Sequence, residues 1–165
     1  LAVVTDVSKE ADTNNLFAEV SKTFGRAADV VFASAGVGPP PVPLAEDDVK
    51  TWWSTFVSCL KPSINAKPAQ QARRLTVYSQ EINVLGVHNT VASWINSQPD
   101  PKKPIGTVIN INSGMAGFIV PGHSAYSVSK LTAHRYMEYV AAGALAPIHL
   151  SNTRNINGSA NAILP

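Results

Sequence analysis

The sequence predicts an α/β fold built on a parallel sheet. Two observations carry the prediction. Short apolar runs alternate with stretches of helical spacing, in the order strand, helix, strand, helix, strand, helix. The polar and glycine-bearing positions Asp6, 33–38 and Ser113 each follow a strand, and open parallel sheets bind ligands beyond the carboxyl ends of their strands. The chain has 165 residues, room for one domain. At 45% hydrophobic, 15% charged and mean hydropathy +0.03, it has enough apolar material for a core.

Ala2–Thr5 is a short valine-bearing run ended by Asp6 and reads as the first strand. Ser8 is placed to cap the helix that follows, with Glu10 and Asp12 near its start. Leu16, Phe17, Val20 and Phe24 recur at helical spacing, and Gly25 marks the stop. Asp29–Ala35 reads as the second strand, followed by Gly36, Gly38 and a proline-rich loop to Pro43. A helix is expected from about Ala45, carrying Val49, Trp52, Trp53 and Phe56. Helical spacing resumes at Glu81 through Ile82, Leu85, Val91 and Ile95. Residues 98–104 read as loop and 106–112 as the third strand. Residues 114–122 form a loop. A last helix runs from Ser124 to about Gly143, with Tyr126, Leu131, Tyr136 and Met137 along it.

Several function classes are excluded by composition. No run of 18 apolar residues exists, so no membrane span is expected. One cysteine, Cys59, excludes an internal disulfide and a cysteine-based zinc site, and a reducing, cytoplasmic setting is expected. The N-terminus has neither a signal-peptide pattern nor an initiator Met, which suggests a fragment. The net charge of +2 traces to one segment: residues 57–80 hold Lys61, Lys67, Arg73 and Arg74 and no acid. That segment lacks aromatic interleaving, so no nucleic-acid partner is expected. The four histidines form no metal constellation, and His123, which precedes Tyr126 and could border the substrate site, reads as a solvated loop residue.

Ser113, Tyr126 and Lys130 form the informative constellation. Tyr126 and Lys130 are four apart and share one helix face. A free phenol has a pKa near 10, too high for acid–base work at neutral pH. A neighbouring ammonium favours the phenolate. A tyrosine so tuned can give or take the proton of an alcohol or carbonyl oxygen. A serine hydroxyl can hold that same oxygen. Interconverting alcohol and carbonyl also needs a hydride carrier.

These residues, with Asp6-Val7, Ala33-Ser34-Ala35-Gly36, Glu81-Ile82-Asn83 and the run 106–113, resemble the short-chain dehydrogenase/reductase family over about residues 1–143. The resemblance implies a partial Rossmann-like doubly wound parallel sheet with flanking helices. It implies Tyr126 as catalytic acid/base and Lys130 as the group that tunes it and holds the nicotinamide ribose. It implies Ser113 on the substrate oxygen and Asn83 completing a tetrad through a relay water. Asp6 and Val7 would lie against the adenine, and Ala33, Ser34, Ala35 and Gly36 would line the adenine–ribose side. The cofactor would be NAD or NADP. The substrate would be a small-molecule alcohol or carbonyl. A homo-oligomer through the helices around Asn83 and Tyr126 would fit the family.

The chain also departs from that family. The glycine-rich turn Thr-Gly-x3-Gly-x-Gly and its strand have no counterpart, nor does the second strand that selects NAD or NADP. The usual Asn-Asn-Ala-Gly reads Ala33-Ser34-Ala35-Gly36. Residues 57–80 read as an insertion. Joining Phe56 to Glu81 sets Trp52, Phe56 and Asn83 on one helical stripe. The 24 inserted residues are compatible with a retained intron: Val57-Ser58 is what GTAAGT encodes, and Gln80 fits a terminal CAG. Residues 144–165 form an atypical tail. Two readings follow: an NAD(P)-dependent oxidoreductase, or a truncated, mis-spliced chain that is inert or pairs with a full-length subunit.

Overall fold

The computed structural model describes residues 1–38, 41–43, 45–46, 49, 52 and 80–144. Most of the helix expected from Ala45, almost all of the 57–80 insertion and the tail beyond Ala144 lie outside the described residues.

Helix α1 spans Glu10–Phe24 and strand β1 spans Val30–Ala33. A π-helical turn, Glu81–Leu85, runs directly into helix α2, Gly86–Asn96. Strand β2 spans Thr107–Asn110, a 3₁₀ turn covers Gly114–Ala116, and helix α3 spans Ser124–Ala144. The two strands pair in parallel, with Val30 opposite Thr107 and Ala33 opposite Asn110. Helices α1 and α2 pack on each other, and α2 packs on β1. The result is a partial α/β unit with a parallel sheet.

The core is small and continuous: Phe17 from α1, Val31 from β1, Val87, Val91 and Trp94 from α2, Val108 from β2, and Ala133 and Met137 from α3. Trp94 is fully buried, and its indole N–H donates to the carbonyl of Ala28 at 2.7 Å. That bond satisfies the indole's only polar group inside an apolar cluster. Gly106, at φ 139°, brings the chain into β2. A Cβ there would stand 2.4 Å from the Asp29 carbonyl oxygen, so only glycine fits the approach.

Four expectations are corrected. Ala2–Thr5 forms no strand: among the described residues the sheet pairs β1 with β2 alone. Val30 and Phe32, on the face of β1 opposite buried Val31 and Ala33, keep 50% and 63% of their surface exposed, and the outer edge of the strand finds no partner among the described residues. Lys9, not Ser8, is the N-cap residue of α1. The Ser8 hydroxyl donates to Asp6 Oδ1 at 2.7 Å, in the turn one residue before that cap. Gly25 stops α1 as expected, in the left-handed conformation at φ 71°. The helix after Glu81 buries Val87, Val91 and Trp94 rather than the Ile82, Leu85, Val91, Ile95 stripe. The π turn inserts an extra residue into the first turn and rotates the buried face. On α3, Leu131 is exposed, while Ala125, Ser129, Lys130, Ala133 and Met137 face inward.

Candidate functional site

The site lies beyond the carboxyl ends of β1 and β2. A cavity of about 430 Å³ is lined there by Ser34, Gly36, Val37 and Gly38 after β1, by Ile111, Asn112 and Met115 after β2, and by His123, Tyr126 and Lys130 at the start of α3. Both strands end at this point, and the chain that follows each turns into the same space.

Tyr126 and Lys130 meet in this cavity as their spacing predicts. The Lys130 ammonium stands 5.9 Å from the centre of the Tyr126 ring. Its Nζ donates to the Ile111 carbonyl at 3.2 Å, and no carboxylate pairs with it among the described residues. Burial away from water holds its pKa below the ordinary value of 10.5. The ring of Tyr126 is covered by Gly38, where a Cβ would come within 3.2 Å of it. A Cβ on Gly36 would stand 3.1 Å from Lys130 Nζ and 3.3 Å from Asn83 Oδ1. Both glycines are present because the chain after β1 passes this close to the side chains.

Asn83 is fully buried and stitches the site together. Its Oδ1 accepts the Val37 N–H at 2.9 Å. Its amide donates to the Val37 carbonyl at 2.8 Å and to Ser129 Oγ at 2.9 Å. Ser129 in turn donates to the Tyr126 carbonyl at 2.7 Å. One amide thus holds the segment after β1 against the helix that carries Tyr126. The π turn is what aims Asn83 at this junction while α2 keeps its apolar face on the core.

Ser113 is not among the residues that line this cavity. The wall passes through Asn112 and Met115 on either side of it. Its hydroxyl accepts the Met115 N–H at 3.2 Å and opens the 3₁₀ turn. Asp6 and Val7 sit away from Tyr126. Asp6 accepts from the Ser8 amide and hydroxyl and pairs with Lys9 at 3.1 Å, and these partners, the Ser8 hydroxyl first, hold its pKa below 3.8. Val7 packs against Gly86, and its carbonyl accepts from Asn89 at 2.9 Å. A second cavity of about 330 Å³ runs past Val7, Ala33, Ser34 and Ala35. It is walled by apolar residues of α1 and β1, with Ser34 and Thr90 as the polar side chains. Ser34 lines both cavities, so Val7, Ala33, Ser34, Ala35, Gly36, Tyr126 and Lys130 fall on two adjoining spaces, while Asp6, Asn83 and Ser113 line neither.

Sequence reasoning missed two residues and placed a third, His123, in solvent. Ser129 lies inside the Tyr126–Lys130 interval and faces inward as Lys130 does, a position that spacing could have flagged. Asn112 lines the cavity, and its amide donates to the Lys130 carbonyl at 3.2 Å. His123, expected to be solvated, is half-buried in the cavity wall.

A nicotinamide dinucleotide is the cofactor to test against these residues. The first cavity fits its nicotinamide–ribose end: a buried ammonium with donors to spare, a phenol and a serine hydroxyl converge there. The second cavity offers no cation to a pyrophosphate.

Comparison with known proteins gives the following. Residues 1–147 match the family model for short chain dehydrogenases. Two curated fungal proteins are each 30% identical over 151 residues: short chain dehydrogenase mpl6 of Monascus purpureus and short chain dehydrogenase citE of Monascus ruber. The match takes in 88% of this chain but only 42% of each relative, so the chain spans less than half their length. Among solved structures, the chain superposes on an alcohol dehydrogenase from the archaeon Thermococcus sibiricus, complexed with 5-hydroxy-NADP (TM-score 0.59, 22% identity, 84% of this chain and 46% of that one). It superposes on levodione reductase at TM-score 0.63 and 19% identity, over 86% of this chain and 45% of that one. A short-chain dehydrogenase/reductase from Burkholderia phymatum, solved with NAD, gives 0.62 and 20%, over 86% and 41%. These likenesses show a Rossmann-like fold.

Proposed function

This chain belongs to the short-chain dehydrogenase family, and on that premise we propose that it carries the catalytic half of an NAD(P)-dependent oxidoreductase interconverting an alcohol and a carbonyl. One observation carries the reading. Tyr126 and a buried Lys130 without a carboxylate partner among the described residues share one cavity, held together through Asn83.

In the reduction direction the Tyr126 hydroxyl gives its proton to the carbonyl oxygen as that oxygen gains charge. In oxidation the phenolate takes the alcohol proton. The Lys130 ammonium favours the phenolate electrostatically. Ser113 holds the reacting oxygen. Asn83 has both amide N–H groups committed to Val37 and Ser129. Its side chain therefore positions Tyr126, and a relay water would be held by other atoms of this turn. When bound, the dinucleotide supplies or accepts the hydride. Tyr126, Lys130 and Gly36 would hold its nicotinamide ribose, and Asp6, Val7, Ala33, Ser34 and Ala35 would border its adenine side. NAD and NADP both suit these residues. A cytoplasmic location and a homo-oligomer through the helices around Asn83 and Tyr126 belong to the same proposal. Among the described residues no helix is long and apolar enough to cross a membrane.

The test is NADH and NADPH binding to the full chain, with turnover followed at 340 nm against a panel of ketones. The expected result is binding of one nucleotide and slow turnover. Tyr126→Phe should lower turnover by about 10²-fold or more with nucleotide affinity retained. Lys130→Met should lower both. Turnover unchanged in Tyr126→Phe overturns the reading. The open edge of β1 favours a second reading, a non-catalytic chain that pairs with a full-length subunit. Absence of nucleotide binding would select it.

A further inference from the structure

His123 lines the same cavity as Tyr126 and Lys130, yet it has no part in the core or in the Asn83 network. Its position is nevertheless fixed. Its backbone N–H donates to the Val120 carbonyl at 3.2 Å, and its carbonyl accepts the Ser127 N–H at 2.9 Å in the first turn of α3. Its ring is held as well: Nδ1 stands 3.1 Å from the Pro121 carbonyl oxygen.

That last contact decides the tautomer. A carbonyl oxygen has no proton to give, so Nδ1 must carry one. In the neutral ring Nε2 then has a lone pair and acts as an acceptor. Lys130 is a donor only, and Tyr126 and Ser34 can donate or accept through their hydroxyls. Asn112 Oδ1, the other side-chain acceptor in the lining, already takes the Ser113 N–H at 2.8 Å, which leaves His123 Nε2 as the acceptor available to a ligand among the described residues. An acceptor on a binding wall favours a ligand that brings a donor, a match that an analogue lacking the donor cannot make.

We propose that His123 is a specificity-determining residue whose neutral Nε2 accepts a hydrogen bond from a hydroxyl on the substrate, making hydroxylated ketones and the matching diols the preferred class. The proposal rests on the carbonyl-site reading above and adds the second group that the substrate carries. Met115 and Val37, on the same wall, suit the apolar frame between the two polar groups.

The test uses the full chain at pH 8 with two probes, acetophenone and 3′-hydroxyacetophenone, whose binding is read by ligand-observed NMR. The chain should prefer the hydroxylated probe roughly five-fold, the worth of one net hydrogen bond. In His123→Phe the ratio should fall to about one, and His123→Gln should keep part of it through the amide oxygen. Long-range ¹H–¹⁵N spectra of the unsubstituted chain should show Nδ1 protonated, with the Nε2 signal moved by 3′-hydroxyacetophenone and not by acetophenone. A preference that survives in His123→Phe, or an Nε2-protonated ring, overturns the proposal. Tyr126→Phe separates the two layers. If it weakens both probes while the chain binds them equally, the role of His123 fails and the carbonyl site stands. If neither probe binds, or Tyr126→Phe binds both as the parent does, both readings fall.

Discussion

Replacing Asn83 by alanine tests how far one buried amide holds this molecule together. The side chain makes three hydrogen bonds between 2.8 and 2.9 Å, two to Val37 and one to Ser129, and has no exposed surface. A typical intramolecular bond contributes about 1 kcal/mol net, so Asn83→Ala should cost about 3 kcal/mol. Asn89 supplies an internal standard. It is also buried, and among the described residues its side chain makes one bond, to the Val7 carbonyl at 2.9 Å. Asn89→Ala should therefore cost only about 1 kcal/mol. Urea unfolding followed by the fluorescence of buried Trp94 reads both. With a denaturant slope near 2 kcal/mol/M, the midpoint should fall by about 1.5 M for Asn83→Ala and about 0.5 M for Asn89→Ala, the slope itself unchanged. Equal shifts for the two variants would refute the claim that Asn83 joins three segments at once. So would a shift for Asn83→Ala below the error of the extrapolation.

Three further outcomes follow from the same geometry. Gly106→Ala puts a Cβ 2.4 Å from the Asp29 carbonyl oxygen at a φ of 139°, and should cost about 3 kcal/mol in the same unfolding assay. Gly36→Ala meets only the end of the Lys130 side chain and the Asn83 amide, so it should cost under about 1 kcal/mol of stability. Isothermal titration should nonetheless show nucleotide affinity weakened several-fold, because Nζ is displaced. Lys130 has a folded-state pKa below its unfolded value of 10.5, so the folded chain binds fewer protons between the two. Stability should rise with pH across that window, as the buried charge is shed. Unfolding curves collected from pH 7 to 10 should show this rise in the parent chain and its absence in Lys130→Met.

Much of the candidate site was legible because it depends on short spacings. Four residues on a helix place Tyr126 beside Lys130 whatever the rest of the chain does. Gly25 stops its helix through its own conformational freedom, and turn residues bracket both strands. What was not legible depends on partners far away in sequence. Ala2–Thr5 has strand composition, but a strand exists only when another pairs with it. The π turn leaves no periodic mark, because the inserted residue looks the same in sequence as a regular one. It is visible only as a shift of the buried face from Leu85 to Val87. Ser8 had the chemistry of a cap, but α1 begins one residue too late for it, with Lys9 at the cap position. His123 had no periodic context, and only the carbonyl of Pro121 reveals its state.

The Asn83 junction has a consequence for how the molecule assembles. Asn83 lies 46 residues from Val37 in one direction and 46 from Ser129 in the other. No short loop can form the site by itself, since both closures must be made before either is rewarded by the other. A chain that has formed α1, α2 and α3 but has not brought them together holds no trace of the Tyr126–Lys130 cavity. Occupancy of that cavity is therefore a report on completed folding. A ligand that binds it stabilises the folded state alone, by an amount that grows with the logarithm of its concentration. The cavity doubles as the molecule's own check on its assembly.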